Sequence, residues 1–334
     1  MNVSTLSRTL TVLSLGVTMA ALAAPALSQP ALPDRVVVFG TSLSDSGNAF
    51  AWLGEPENRH CGVRKNVPPY DELDDLLVPD GPYATGGHHV TNGATWVEGL
   101  ARGLGRAGNA RPALASESAV ASNYATSGAR ATPAFPCRFN LPEQVAMYVS
   151  DFGTTSAETL VVIEIGSNDV RDALIVAAGG GNPAPVIGNA LDSFAGSIVQ
   201  LYGTGARRFL VTNVPDIGKT PALRALDAVV PGAAWLGGFL ASGYNAGLAQ
   251  AAGALSTALG VDIRVLDLHG TLNQVIANPA AYGFANATDA CVTPNQPPFR
   301  CKKPDTYLFW DGIHPTAAMH ALIAQRALAI VTGP

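Results

Sequence analysis

Charge is scarce in this 334-residue chain: Lys, Arg, Asp and Glu together make up 13% of it, and the formal net charge is -5. With so few cations and no basic stripe, the chain is not built to neutralise phosphates, which argues against a nucleic-acid partner. Signatures of bound metal are missing too. No two of the four cysteines have C-x-x-C spacing, and no H-E-x-x-H occurs. His88 and His89 are adjacent, so their side chains diverge on a strand or helix, and only a loop would aim both at one ion. "DELDD" (71–75) lacks the alternating ligands and the glycine of a calcium loop and reads as a solvated acidic turn. No G-x-S-x-G is present, which removes the usual strand-to-helix elbow of an esterase serine. No cofactor is expected. Fixed-period repeats are absent, and beyond the N-terminus no apolar run reaches the 18 or so residues of a membrane span.

Two fragments imitate nucleotide sites without their context. "GLGRAG" (103–108) matches G-x-G-x-x-G but follows the helical pattern "TWVEGLAR" rather than a strand, so it reads as a frayed helix end. "GKT" (218–220) resembles the end of a P-loop, but Asn213 stands where the first glycine belongs.

What the chain does have is apolar surface to bury: 48% of its residues are hydrophobic, enough for an ample core. Residues 1–28 read as an export signal, in which Arg8 precedes the short run "TLTVLSLGVTMAALA", with small-residue cleavage sites at Ala21-Leu22-Ala23 and Ala26-Leu27-Ser28. The expectation is a secreted or periplasmic protein in which residues 29–334 form one domain. All four cysteines follow the signal, and an even count in an exported chain points to two disulfides. Three pairings are open; Cys61–Cys137 and Cys291–Cys301 are favoured.

Near-continuous apolar runs, "RVVVF" (35–39), "TLVVIEI" (159–165), "RRFLVTNV" (207–214) and "VDIRVLDL" (261–268), suit strands covered on both faces. "AVASNYA" (119–125) is a shorter candidate. Between them, 189–206 and 235–260 repeat apolar residues at helical spacing, and 315–331 closes the chain with Pro315 at a first helical position. This alternation predicts a three-layer α/β domain with a mostly parallel sheet, whose ligands gather at the carboxyl ends of the strands. Residues 54–93 and 277–308 read as long insertions that shape the site.

The first strand runs into a cluster of small polar residues, "VVVFGTSLSDSGNAF" (36–50). Read as local structure, this is a strand, a turn and a capped helix. Read as chemistry, it holds Ser42 as a nucleophile at a strand's end, with Asp45 and Asn48 bonding the turn. A serine hydroxyl then needs a base, and the base an orienting group. "FWDGIHPT" supplies Asp311 and His314 three residues apart, with Pro315 keeping His314 out of helical geometry. Acyl transfer also needs donors for an oxyanion. "NYATSGA" (123–129) offers the N–H of Gly128, "IGSNDV" (165–170) the amide of Asn168, and Ser42 its own N–H.

The blocks "FGTSLSDSGN", "NYATSGA", "GSND" and "DGIHPT" occur in this order, and together they resemble the GDSL family of SGNH hydrolases, especially its bacterial secreted lecithinase- and hemolysin-like branch. "TNGATWVEGLA" (91–101), "TNVPDIGKTPA" (212–222) and "NPAAYGFANATDAC" (278–291) extend the likeness from about residue 35 to 331. The resemblance implies a flavodoxin-like α/β/α fold and a metal-free ester hydrolase. Ser42 would be its nucleophile, His314 its base, Asp311 the orienter, and Ser42, Gly128 and Asn168 its oxyanion hole. In this chain Thr41 replaces the family's usual Asp before the nucleophile. The implied substrate is a small-molecule or lipid ester, with transient contact with a lipid surface and no obligate protein partner. A carbohydrate acetylesterase, a lipid acyltransferase and a non-catalytic surface binding protein are the alternative readings. Trp52, Trp96, Tyr83 and Phe299 are candidate pocket residues, with core packing as the competing account.

Overall fold

A computed structural model describes residue 1 and residues 31–54, 89–116, 119–133, 139–292 and 301–333. Four of the apolar runs form the parallel strands β1 (Val36–Gly40), β2 (Leu160–Glu164), β3 (Arg208–Thr212) and β4 (Asp262–Leu266), hydrogen-bonded in that order. The register runs from Val36 opposite Leu160 to Gly40 opposite Glu164, and from Leu160 opposite Arg208.

The fifth apolar run, 119–125, does not become a regular strand. It still lies parallel beside β1: Val38 N–H donates to Ser122 O, Tyr124 N–H to Val38 O, and Thr126 N–H to Gly40 O. Counting it, the order is that of a doubly wound sheet, in which the chain direction across the sheet reverses between β1 and β2. Ligand crevices open at such reversals.

Because side chains alternate along a strand, each strand supplies both cores. Val37, Phe39, Val161, Ile163, Phe209 and Val211 pack on one face with Tyr124, Tyr148, Phe194 and Tyr244. That layer holds α3 (Leu141–Phe152), α4 (Ser167–Ala178), α5 (Ala184–Thr204) and α7 (Ala233–Leu259). Val36, Val38, Leu160, Val162 and Leu210 face the other way, toward Trp96, Leu100, Leu272 and Ile323. Those belong to α2 (Trp96–Gly103), α8 (Leu268–Ala277) and α9 (Ala317–Thr332). Two short helices, α1 (Asn48–Gly54) and α6 (Pro221–Asp227), sit beyond the strand ends. The three-layer α/β expectation holds.

Some local expectations need correction. β4 is an edge strand and is not covered on both faces: Val265 is 38% exposed and Asp262 is exposed. Its apolar run reflects strand propensity more than burial. Pro315 lies outside α9; it forms an antiparallel bridge with Phe309, and Thr316 caps the helix by accepting from Met319 N–H. The described parts of the 277–308 insertion, 277–292 and 301–308, hold regular structure. They contain a second, two-stranded parallel sheet, β5 (Asn286–Ala290) with β6 (Tyr307–Phe309), and the Cys291–Cys301 disulfide, with Cα atoms 5.4 Å apart. "GLGRAG" begins with Gly103, the last residue of α2, and runs through Gly105 at φ +70° into a short 3-10 turn at Ala107–Ala110. Cys61, Cys137, Tyr83, Phe299, His88, "DELDD" and all but residue 1 of the expected export signal (1–28) lie outside the described residues, as do the 55–88 part of the first insertion and the 293–300 part of the second.

Candidate active site

Ser42 lies two residues past Gly40, the carboxyl end of β1, in a turn closed by the bond from Ser44 N–H to Thr41 O at 3.1 Å. The Gln144 side chain of α3 accepts Gly40 N–H at 2.8 Å and donates to Gly40 O at 2.9 Å. After the turn, Asp45 Oδ1 accepts the N–H groups of Gly47 and Asn48, and Asn48 Nδ2 donates to the carbonyls of Asn123 and Ala125. The Asp45 and Asn48 expectation therefore holds, with more reach: both residues also hold the 123–127 segment.

The distant half of the site comes from the turn between β6 and α9. His314 Nδ1 lies 2.8 Å from Asp311 Oδ2, and His314 Nε2 lies 2.9 Å from Ser42 Oγ, 272 positions away in sequence. A carboxylate can only accept, so the Nδ1 proton points at Asp311 and Nε2 is left as the acceptor for the serine proton. Asp311 Oδ1 also accepts the backbone N–H groups of Ile313 and His314, which fixes the carboxylate and closes the turn. Pro315 contributes by staying extended, with Trp310 N–H donating to His314 O across the turn. Asp311 is fully buried and His314 is 2% exposed. The low dielectric around them strengthens their mutual attraction.

The two remaining blocks leave the sheet beside Ser42. Gly128 adopts φ +80°, a left-handed conformation that glycine adopts without strain. Asn168 stands in the first turn of α4, just after β2, and its Nδ2 donates to Ala129 O at 2.9 Å. Asp169 adds a second tie by accepting Ala131 N–H; burial pushes its carboxyl up to about 6. The α4 N-terminus carries positive dipole character into this corner. Gly166, which precedes it at φ +115°, leaves no room for a side chain, because a Cβ would strike the Tyr244 ring.

Ser42, Asn168 and His314 line a cavity of about 330 Å³. Gly128 is buried and is not among the residues that line it. On one side the walls are Leu174, Ile217, Ala222 and Leu223; on the other they are Leu268, Leu272, Met319 and Ile323. Ile175 and Leu226 line it and are also exposed, at 63% and 36%. Trp96 does not reach the cavity; it is fully buried and donates its indole N–H to Ser44 Oγ at 3.1 Å. Trp52 is half-buried on α1 and is not among the cavity walls. His89 faces Glu98, with Nε2 and Oε2 3.0 Å apart.

Sequence reasoning missed Gln144 and Glu164. Gln144 carries no local signal, being one polar residue of an amphipathic helix. Glu164 did carry one: a lone acid closing an apolar strand.

The family model for GDSL-like lipase/acylhydrolase matches residues 36–327. Across 329 residues the chain is 22% identical to a thermolabile hemolysin of Vibrio parahaemolyticus, covering 91% of this chain and 65% of the hemolysin. Across 384 residues it is 24% identical to Lipase 1 of Photorhabdus luminescens, covering 95% of this chain and 53% of that lipase. A GDSL esterase/lipase of Arabidopsis thaliana is 24% identical over 346 residues, with 90% of each protein covered. The chain thus spans less than two thirds of either bacterial relative and most of the plant one. With the family match running from β1 into α9, the chain belongs to the GDSL-like lipase/acylhydrolase family of ester hydrolases.

Proposed function

We propose that this chain is an exported serine hydrolase, one domain over residues 29–334, that cleaves esters of apolar acyl chains through an acyl-enzyme. The observation that carries the reading is the Ser42–His314–Asp311 relay, at 2.9 and 2.8 Å, opening onto the apolar cavity. In the first half-reaction Ser42 Oγ attacks the ester carbonyl while its proton passes to His314 Nε2. Asp311 stabilises the imidazolium so formed. The negative charge on the former carbonyl oxygen is taken up by Asn168 and the Ser42 N–H, both on residues that line the cavity; Gly128 is not among those residues. Collapse of the intermediate breaks the C–O bond, and His314 returns the proton to the departing alcohol. Water then repeats the sequence on the acyl-serine and releases the acid. Every proton has a donor and an acceptor among these groups, so the reaction needs no cofactor.

The cavity walls favour a hydrocarbon chain over an acetyl group, which weighs against a carbohydrate acetylesterase. Ile175 and Leu226 at the mouth favour substrates presented at a lipid surface, met transiently. Among the described residues no helix is long and apolar enough to cross a membrane.

The test combines labelling and turnover. A fluorophosphonate should modify the wild type and not Ser42→Ala, and Ser42→Ala or His314→Ala should lower kcat by roughly 10⁴–10⁶-fold on p-nitrophenyl esters. Near-normal turnover by either variant would end the reading. Absence of turnover in the wild type, despite labelling, across graded esters, phosphatidylcholine and acetyl-xylan would favour a binding protein instead.

A further inference from the structure

The residue before Ser42 is a threonine, which carries no charge, yet a carboxylate stands beside it. Glu164 is the last residue of β2 and pairs with Gly40 in the sheet register. Its side chain is 1% exposed and turns under the nucleophile's turn. Oε2 accepts Thr41 N–H at 3.1 Å, the Thr41 hydroxyl lies 2.9 Å from Oε2 and 3.0 Å from Oε1, and Ser44 Oγ donates to Oε2 at 3.1 Å. One carboxylate therefore holds the residue just before Ser42 and the residue two places after it.

The surroundings are shaped for this. At Gly40 an added Cβ would come within 2.7 Å of Glu164 O and 3.2 Å of Oε2, so glycine makes room for the acid. Ser44 can donate to Glu164 because its oxygen accepts the Trp96 indole N–H, which orients the hydroxyl. Burial pushes the Glu164 carboxyl up to about 7, against the opposing pull of the bonds from Thr41 and Ser44. Those bonds come from neutral donors, and burying an acid at a strand's end is costly unless such donors satisfy it.

We propose that Glu164 supplies from the neighbouring strand the carboxylate that the family motif carries at position 41, and that it acts as a positioning residue for Ser42. The proposal rests on reading Ser42 as the nucleophile. Thr41 donates where an Asp side chain could only accept, and the acceptor stands on β2. The Ser42 backbone, and with it the Oγ–Nε2 distance to His314, is held through Thr41 and Ser44 by an acid on the neighbouring strand.

The experiment is a carboxylate relocation in the full chain. Glu164→Gln should lower kcat by about 10–10²-fold with KM little changed, because a displaced nucleophile costs rate more than binding. Fluorophosphonate labelling of Ser42 should slow by a similar factor. Thr41→Asp alone should also be impaired, since it sets two acids against each other. Thr41→Asp combined with Glu164→Gln should recover most of the lost kcat and labelling rate, a strongly non-additive cycle. A merely structural role for Glu164 predicts no such recovery. Thr41→Val, which keeps the volume and removes the hydroxyl donor, gives an independent reading if Glu164→Gln folds poorly, and it too should lower kcat and labelling. Wild-type kcat in Glu164→Gln or in Thr41→Val, or a double variant no better than Glu164→Gln, would overturn the proposal. Ser42→Ala, run in parallel, reports on the nucleophile separately: labelling that survives it would sink that assignment and not the bonding of Glu164.

Discussion

The carboxylate of Asp45 accepts both the backbone N–H and the hydroxyl of Ser127, each at 2.8 Å, across 82 positions of sequence. The same carboxylate caps the start of α1 through Gly47, Asn48 and Ala49. One buried anion thereby fixes the distance between the nucleophile's turn and the segment that carries Gly128. Burial pushes the Asp45 carboxyl up, and its five donors pull the other way. Asp45→Ala would strand those donors in the interior. We expect a loss of about 2–4 kcal/mol in urea unfolding, together with reduced kcat. Unchanged stability would mean that these bonds do not hold the turn.

Asn168 has two amide protons and gives one to Ala129 O. The other is available to a substrate oxyanion in the cavity beside Ser42. Asn168→Ala should lower kcat by about 10²–10³-fold. Asn168→Asp should do at least as badly, because it opposes one negative charge with another. Steady-state kinetics on a soluble ester decides the matter, and an unchanged kcat would remove Asn168 from the oxyanion site.

Ala222 is a small residue in the cavity wall, at the start of α6. A Phe there would take the space of roughly three methylenes, each worth about 0.8 kcal/mol of burial, or about fourfold. Ala222→Phe should therefore lower kcat/KM for long-chain p-nitrophenyl esters by up to about 10²-fold and leave acetate hydrolysis close to wild type. Equal losses at every chain length would point to general damage and away from an acyl channel.

Two buried groups oppose each other in pH dependence. Glu164 is raised to about 7, so the native state holds its proton more tightly than the unfolded chain does. Its contribution to stability is present below pH 4.5 and is lost as pH rises through about 7. His320, whose Nδ1 accepts Trp96 N–H, is lowered to about 3, first by burial and then by the charge of His314. Its contribution is present above pH 6.5 and is lost as pH falls toward about 3. Relative to wild type, Glu164→Gln should lack the fall in stability between pH 4.5 and 7, and His320→Asn should lose less stability on acidification. Urea unfolding across this range is the measurement. Curves parallel to wild type would show that neither group titrates differently on folding.

Strand positions were legible because alternation and apolar runs are local properties of the chain: β2 to β4 fall inside the runs read from sequence, and β1 passes the end of its run by one residue, Gly40. The three residues that meet as Ser42, His314 and Asp311 each sit in a short motif at a strand end or before a helix, so local pattern pointed to them. What local pattern does not carry is which segments become neighbours. The edge position of β4, the extended Pro315, the two-stranded sheet around Cys291, the separation of Trp96 from the cavity and the cavity's own walls all follow from packing between distant elements. The Thr41–Glu164 pair shows this most directly. The sequence by itself determined that a threonine precedes the nucleophile and that an acid ends the second strand. Only the tertiary structure decided that they meet, because strands 123 positions apart become hydrogen-bonded neighbours when the sheet forms.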